Sequence, residues 1–203
     1  DLNRCKLRET RTEPFGAVPV LNMRAASAAE IVRRGAKTVH IELTGECYDG
    51  TSQNVCATIP GTDKPSEVIT LGGHYDSVYF SSGVHDNLSG SVIVLELLRY
   101  FAAHPPRRTL RFCWFGSEEQ GLLGSKAYVK AHADELKDCV AMLNFDVAAP
   151  TLGSNHLVTL ATDDALHYVA GVLREAGYGV RAKQDTYSSD CIPFADNGVP
   201  AIN

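Results

Sequence analysis

His74 and Asp76, then Asp86, then the adjacent pair Glu118 and Glu119, then Asp146 follow one another along the chain. Each group ends, or lies just beyond, an apolar run of strand type. A histidine that ligates a metal commonly gives its second ring N–H to a carboxylate, which fixes the tautomer. The step His74-Tyr75-Asp76, placed after Gly72-Gly73, can supply that pairing from one short segment. Asp86 lies in SSGVHDNLSG, just before a helical pattern. Alone it would be read as a helix cap, but with His74 across one loop it can bridge two cations. The neighbouring His85 is read as a loop or supporting residue. Glu118 and Glu119 follow RFCWFG, and two adjacent ionised carboxylates repel unless a cation or proton compensates. One of them can bind metal while the other accepts a proton from water. Asp146 closes CVAMLNFD, a run too apolar to end in a free charge, because an unpaired buried carboxylate is costly. Asn144 is a candidate supporting donor. Together these residues predict a two-metal hydrolase. A later stretch, DTYSSDCIPFADN, offers Tyr187, Asp190, Cys191 and Phe194 as lining for a substrate pocket.

The elements that must position these groups alternate. Ser27 is expected to cap a helix over 28–34, with Glu30 completing a capping box and Gly35 ending it. Strands are expected at 38–43 and 54–59, joined by a turn-rich hairpin link. From Glu67 the pattern becomes strand 68–71, helix 88–103, strand 110–115, helix 122–130 and strand 140–145. It continues with strand 157–161, helix 163–175 capped by Thr162 and ended by Gly177, and a closing strand at 200–203. In the helix over 88–103 the apolar residues recur three or four apart. This grammar predicts one α/β domain, a mixed central sheet covered by helices. Open α/β sheets bind ligands where strands end, which is where the acids fall. Residues 1–26 read as a peripheral arm and 27–203 as the single compact domain.

Bulk properties narrow the partners. A chain of 203 residues suits one substantial core. A formal charge of -5 with scattered Lys and Arg gives no basic face for nucleic acid. No apolar run is long enough for a membrane span, and the amino end lacks the apolar core of a signal peptide. None of the six cysteines forms a CxxC pair, which disfavours a structural zinc knuckle. Cys47 and Cys56 flank a polar turn and are candidates for a hairpin disulfide, whereas Cys113 and Cys139 read as buried thiols.

The motifs GGHYDSV, SGVHDNLSG, HPPRRTLRFCWFGSEEQGLLGSKAYV, LNFD and SSDCIPFADNGVPAI resemble those of the M28 family of zinc aminopeptidases and related exopeptidases, over about residues 54–203. The resemblance implies a phosphorylase/hydrolase-like fold holding two zinc ions and a peptide or amino-acid-derivative substrate. It implies His74 and Asp146 as ligands of one zinc, Asp86 as the bridge, Glu119 as ligand of the other, Glu118 as general base and Asp76 as the residue orienting His74. It further implies a cis bond between Asp86 and Asn87, and a secreted or periplasmic location.

The chain also departs from the family pattern. The family's last zinc-binding histidine, in a histidine-threonine motif, would lie beyond Asn203, so one strong zinc site is expected here and a second weak one. Cys191 stands where many relatives have histidine. Residues 15–42 resemble the stretch by which some members re-enter the catalytic domain after an inserted protease-associated domain, so a fragment of a longer protein is expected. Two other readings remain at this stage: a single-zinc glutaminyl-peptide cyclase, and a non-catalytic fragment retaining the fold. An oligomer is compatible with all three.

Overall fold

A computed structural model describes residues 2–4, 21–42, 49–79, 81–148, 153–185 and 188–203. The chain divides into two compact units, Asp1–Asp49 and Gly50–Asn203. The first contains the antiparallel strands β1 (Leu2–Arg4) and β2 (Leu21–Met23) and the helix α1 (Ala25–Arg33). The helix begins three residues earlier than the capping box requires, and no side chain caps it. Ser27 therefore sits inside it, and Glu30 pairs instead with Arg33 and Arg34 at 2.6 and 2.7 Å. Gly35 adopts φ 63° after the last turn, as a helix-ending glycine does. Residues 38–42 of the expected strand 38–43 belong to no strand, and residues 43–48, which include its end and the start of the expected hairpin link, lie outside the described residues.

The second unit is built on a seven-stranded mixed sheet in the order β3-β5-β4-β6-β9-β7-β8. Its strands are β3 (Val55–Ile59), β4 (Lys64–His74), β5 (Arg108–Phe115), β6 (Cys139–Asn144), β7 (Asn155–Leu160), β8 (Val180–Gln184) and β9 (Ala201–Ile202). Between them run α2 (Ser89–Ala103), α3 (Leu123–Ala131), a short 3-10 segment (Ala133–Asp138), α4 (Asp163–Glu175) and α5 (Cys191–Asp196). Strand β4 is parallel to both β5 and β6, so their carboxyl ends share one edge. β3 is antiparallel to β5, and β7 to β9.

Side chains on β5 alternate across the sheet, as a strand's period of two requires. Leu110, Phe112 and Trp114 join Leu71, Val94, Leu97, Leu98 and Phe101 under α2. Cys113 and Phe115 face the other way, into a core with Tyr128, Val129 and Met142, and with Phe194 of α5. Both faces of the central strands are thus sealed, as parallel sheets require.

β4 runs through Gly72 and Gly73 to His74, where a strand ending at 71 was expected. A Cβ at Gly72 would stand 2.7 Å from the Phe115 ring and 2.9 Å from the Met142 methyl group. The glycines let large neighbours close over the strand without ending it. Helix α4 starts and stops where expected, with Thr162 Oγ1 accepting the Ala165 N–H at 3.3 Å.

Candidate metal centre

Three strand ends bring the acids together. His74 is the last residue of β4, Glu118 and Glu119 lie in the turn after β5, and Asp146 lies two residues after β6. Asp86 comes from an irregular turn, Val84–Leu88, that leads into α2. Its peptide bond to Asn87 is cis, as the family resemblance implies. That turn closes onto β6 because Gly90 has no side chain: a Cβ there would stand 2.0 Å from the Phe145 carbonyl oxygen. Ser91 Oγ donates to the His74 carbonyl at 2.7 Å, latching α2 to the end of β4.

Asn87, almost fully buried, ties the two acidic turns together. Its Nδ2 donates to Phe145 O at 2.9 Å, while its Oδ1 accepts from Gly90 N at 3.1 Å and Val147 N at 3.3 Å. Sequence reasoning gave Asn87 no supporting role. The clue available was a buried-type Asn–x–x–Gly step directly after Asp86. Two positive-φ residues flank the acids, Ser117 (φ 59°) before Glu118 and Val147 (φ 54°) after Asp146. For a β-branched residue such as Val147 this conformation is strained, and such strain concentrates at functional sites.

His74 is 1% exposed, and its Nε2 lies 3.1 Å from Asp86 Oδ1, 3.4 Å from Asp146 Oδ1 and 4.0 Å from Glu118 Oε2. Among the described residues, His74, Asp86 and Asp146 form a group whose donor atoms all lie within 4.8 Å of one another. Oδ1 of Asp86 and Oδ1 of Asp146 are buried and accept no hydrogen bond. Donors held about 2.0–2.2 Å from a tetrahedral zinc stand about 3.4 Å apart. The two nitrogen-to-oxygen separations match that spacing, and the orphaned oxygens lack the positive partner a zinc ion would be. The residues present therefore fit one zinc.

The expected support for His74 is arranged differently from the sequence reading. His74 Nδ1 meets the main-chain oxygen of Asp76 at 3.0 Å, with the Asp76 carboxylate 3.5 Å away. That carboxylate accepts the N–H groups of Glu118 at 3.0 Å and Glu119 at 3.2 Å. Asp76 thus holds the imidazole with its backbone and the Glu118–Glu119 turn with its side chain. With Nδ1 so engaged, Nε2 is the nitrogen that faces the acids. Asn54 grips the same turn: it accepts Gly116 N–H at 3.1 Å and donates to Gly124 O at 2.9 Å.

Glu119 stands outside the three-residue group. Its Oε1 is buried without a hydrogen bond, and its pKa is raised by burial and then by the charge of Asp86. Asn144 donates to Ser189 Oγ at 2.8 Å and Asn203 Oδ1 at 2.7 Å. His85 and Asp146 line one cavity of about 510 Å³. Of the four residues expected to line a pocket, Tyr187 lies outside the described residues. Asp190, Cys191 and Phe194 are closed off from solvent, Phe194 stacking on Tyr128. Buried in this way, none of the three presents an open wall to a ligand.

The acids also set one another's proton affinity. Burial raises Glu118 to about 7; the charge of His74 opposes this, while Asp190, Asp146 and Glu119 add to it. Burial raises Asp190 to about 6. Burial alone would lower His74, but the close approach and charge of Asp146, with Glu118 and Asp190, hold it up at about 9. In all three cases the folded chain binds protons more tightly than the unfolded one, so stability falls as pH rises through each interval. In chelator, the melting temperature should therefore fall between pH 5 and 9, and zinc should restore more of it at higher pH, where ligands shed protons more readily. Thermal melts across that range check this; a flat profile in chelator would contradict it.

Residues 54–203 match the family described as Peptidase family M28. Aminopeptidase YwaD of Bacillus subtilis (strain 168) is 30% identical over 193 residues, covering 92% of this chain and 42% of its own length. Among solved structures, BSAP, a zinc aminopeptidase from Bacillus subtilis, superposes with a TM-score of 0.66 at 28% identity, covering 74% of this chain and 39% of that one. An Acidobacteriales bacterium glutaminyl cyclase superposes with a TM-score of 0.66 at 22% identity, over 73% of this chain and 56% of that one; at that identity the likeness speaks for the fold alone. The chain spans less than two thirds of the length of each of these relatives.

Proposed function

The chain belongs to peptidase family M28, and from that premise we propose that it supplies most of the active face of a zinc-dependent aminopeptidase. The observation that carries this reading is the meeting of His74 Nε2 with two orphaned carboxylate oxygens and the Glu118 carboxylate. His74, Asp86 and Asp146 would hold one zinc. Glu119, close enough to Asp86 to feel its charge, would share Asp86 in holding a second ion, completed by a ligand from elsewhere in the whole protein. Bound zinc polarises a carbonyl and lowers the pKa of water.

Glu118 is the proton acceptor. With a pKa of about 7 it can take a proton from the attacking water and return it to the departing amine nitrogen, since a group poised near the working pH serves both steps. Asp76 holds the two Glu amides in place while that exchange occurs. A free substrate amine, positively charged, suits the acidic cluster of Asp86, Glu119 and Asp146, which favours attack at the amino end of a peptide. No described helix is long and apolar enough to cross a membrane; the family resemblance supports an exported enzyme.

The test compares, for the full-length protein with zinc, aminoacyl p-nitroanilides with and without an acetyl block on the amine. Hydrolysis of the free-amine substrates alone is expected. Equal cleavage of blocked substrates, or conversion of glutamine-leading peptides to the cyclised form without hydrolysis, would overturn the reading.

A further inference from the structure

Away from the metal centre, β3 and β5 place two cysteines face to face. Cys56 and Cys113 are register partners in the antiparallel pair, 57 residues apart in sequence, with Sγ atoms 3.6 Å apart. Facing residues in an antiparallel ladder have Cα atoms about 4.5–5.5 Å apart, within the range of about 4.4–6.8 Å that disulfides span. The two sulfurs differ in access: Cys56 is exposed on the edge strand and Cys113 is fully buried.

Their surroundings are charged on the Cys56 side. Arg111 and His132 lie near it, Arg111 donating to Tyr128 Oη at 3.0 Å and pairing with Glu135 at 2.8 Å, and His132 pairing with Glu135 at 3.0 Å. The Cys113 thiol, and then His132 and Arg111 against the cost of burial, bring Cys56 down to about 7, while the contact with Cys56, then burial, push Cys113 well up. One sulfur is thus an accessible nucleophile and the other a protonated resolving partner, the division of labour that thiol–disulfide exchange uses.

We propose that Cys56 and Cys113 are a reversible dithiol site, closed to a cross-strand disulfide by exchange with a small-molecule disulfide. The Cys56 thiolate attacks one sulfur of the incoming disulfide, forming a mixed disulfide and expelling one thiolate. Cys113 sulfur then attacks Cys56 sulfur, the second thiolate leaves, and the Cys113 proton passes to it. The first expelled thiolate takes up the proton that Cys56 released. Two protein thiols are oxidised and one disulfide is reduced to two thiols.

The site lies at the root of the catalytic turn. Asn54, which grips Gly116 and Gly124, is two residues before Cys56, and Gly116 is three residues after Cys113. Closing the bond would pin the edge strand to β5 where that grip begins.

The experiment incubates the full chain with oxidised glutathione and maps disulfide-linked peptides by mass spectrometry before and after dithiothreitol. A Cys56–Cys113 link that dithiothreitol removes is expected. Cys113→Ala should instead trap a stable glutathione adduct on Cys56. Should that variant fail to fold, Cys56→Ser serves, and there Cys113 should remain an unmodified thiol. A stable glutathione adduct on wild-type Cys56, a link from Cys56 to Cys47 or Cys5, or two unreacted thiols would overturn the proposal.

Discussion

Replacing Glu118 by Gln is expected to lower kcat of the full-length enzyme by about 10²–10⁴-fold, with zinc content unchanged. Gln keeps the shape of the side chain and removes its capacity to accept a proton. Glu118 Oε2 lies 4.0 Å from His74 Nε2, beyond the closest group of donor atoms, so its loss should spare the ion while stopping proton transfer. The same substitution should raise stability. The ionised Glu118 is only 11% exposed and is repelled by Asp190, Asp146 and Glu119. In chelator a neutral amide escapes both the cost of burying a charge and that repulsion, which together outweigh the attraction of His74, since Glu118 is raised on balance. Activity, measured with zinc, and melting temperature, measured at pH 8 in chelator, should therefore move in opposite directions. Steady-state kinetics, metal analysis and thermal melts on one preparation check all three. Retention of more than a tenth of the activity would remove Glu118 from the role of base.

His74, the Glu118–Glu119 pair and Asp146 were legible in the sequence because each follows an apolar run, and an apolar strand cannot end in a buried charge without a partner. Asp86, in a turn before a helix, was legible only in their company. Helix α4 was legible because its cap, its 3.6-residue period and its terminal glycine agree. Strand β8 was not: Val180–Gln184 is polar and mostly exposed, and it is a strand because β7 offers it a ladder. The short helix α5 contains Pro193 and two turns at most, too little for periodicity to register. Ser27 and Glu30 imitated a capping box, yet Glu30 found two arginines on its own helix instead. Asp76 illustrates the deeper limit. Its spacing from His74 announced a partnership, but which of its oxygens faces the imidazole depends on where β5 delivers the Glu118 turn, and that is a fact of sheet register. The cysteines carry the same lesson. The hairpin link favoured Cys47 for Cys56, and Cys47 lies outside the described residues, while pairing of β3 with β5 brought Cys113 opposite.

Replacing Asp146 by Ala is expected to abolish the stabilisation that zinc confers. A ligand at about 1,000 times its Kd stabilises the folded chain by about 4 kcal/mol, so the wild type should show a large upward shift in melting temperature with zinc relative to chelator. Asp146 is 6% exposed and its Oδ1 has no hydrogen-bond donor, leaving the His74 ring at 3.4 Å as its charged neighbour. Without Asp146 the site retains His74 and a half-exposed Asp86, one short of the three protein ligands a catalytic zinc ordinarily has. Titration of the wild-type chain should give one tight zinc, and the variant none in the same range. Asp76→Ala supplies the contrast. The His74 ring is held by the Asp76 main-chain oxygen, which that substitution leaves in place, whereas the Glu118 and Glu119 amides lose both acceptors. Zinc uptake should therefore survive in Asp76→Ala while kcat falls, because the base is no longer fixed. If both variants lose zinc alike, the Asp76 carboxylate supports His74 directly and the division of labour drawn from the geometry is wrong. If Asp146→Ala keeps its zinc, the ion is held somewhere other than between the ends of β4 and β6.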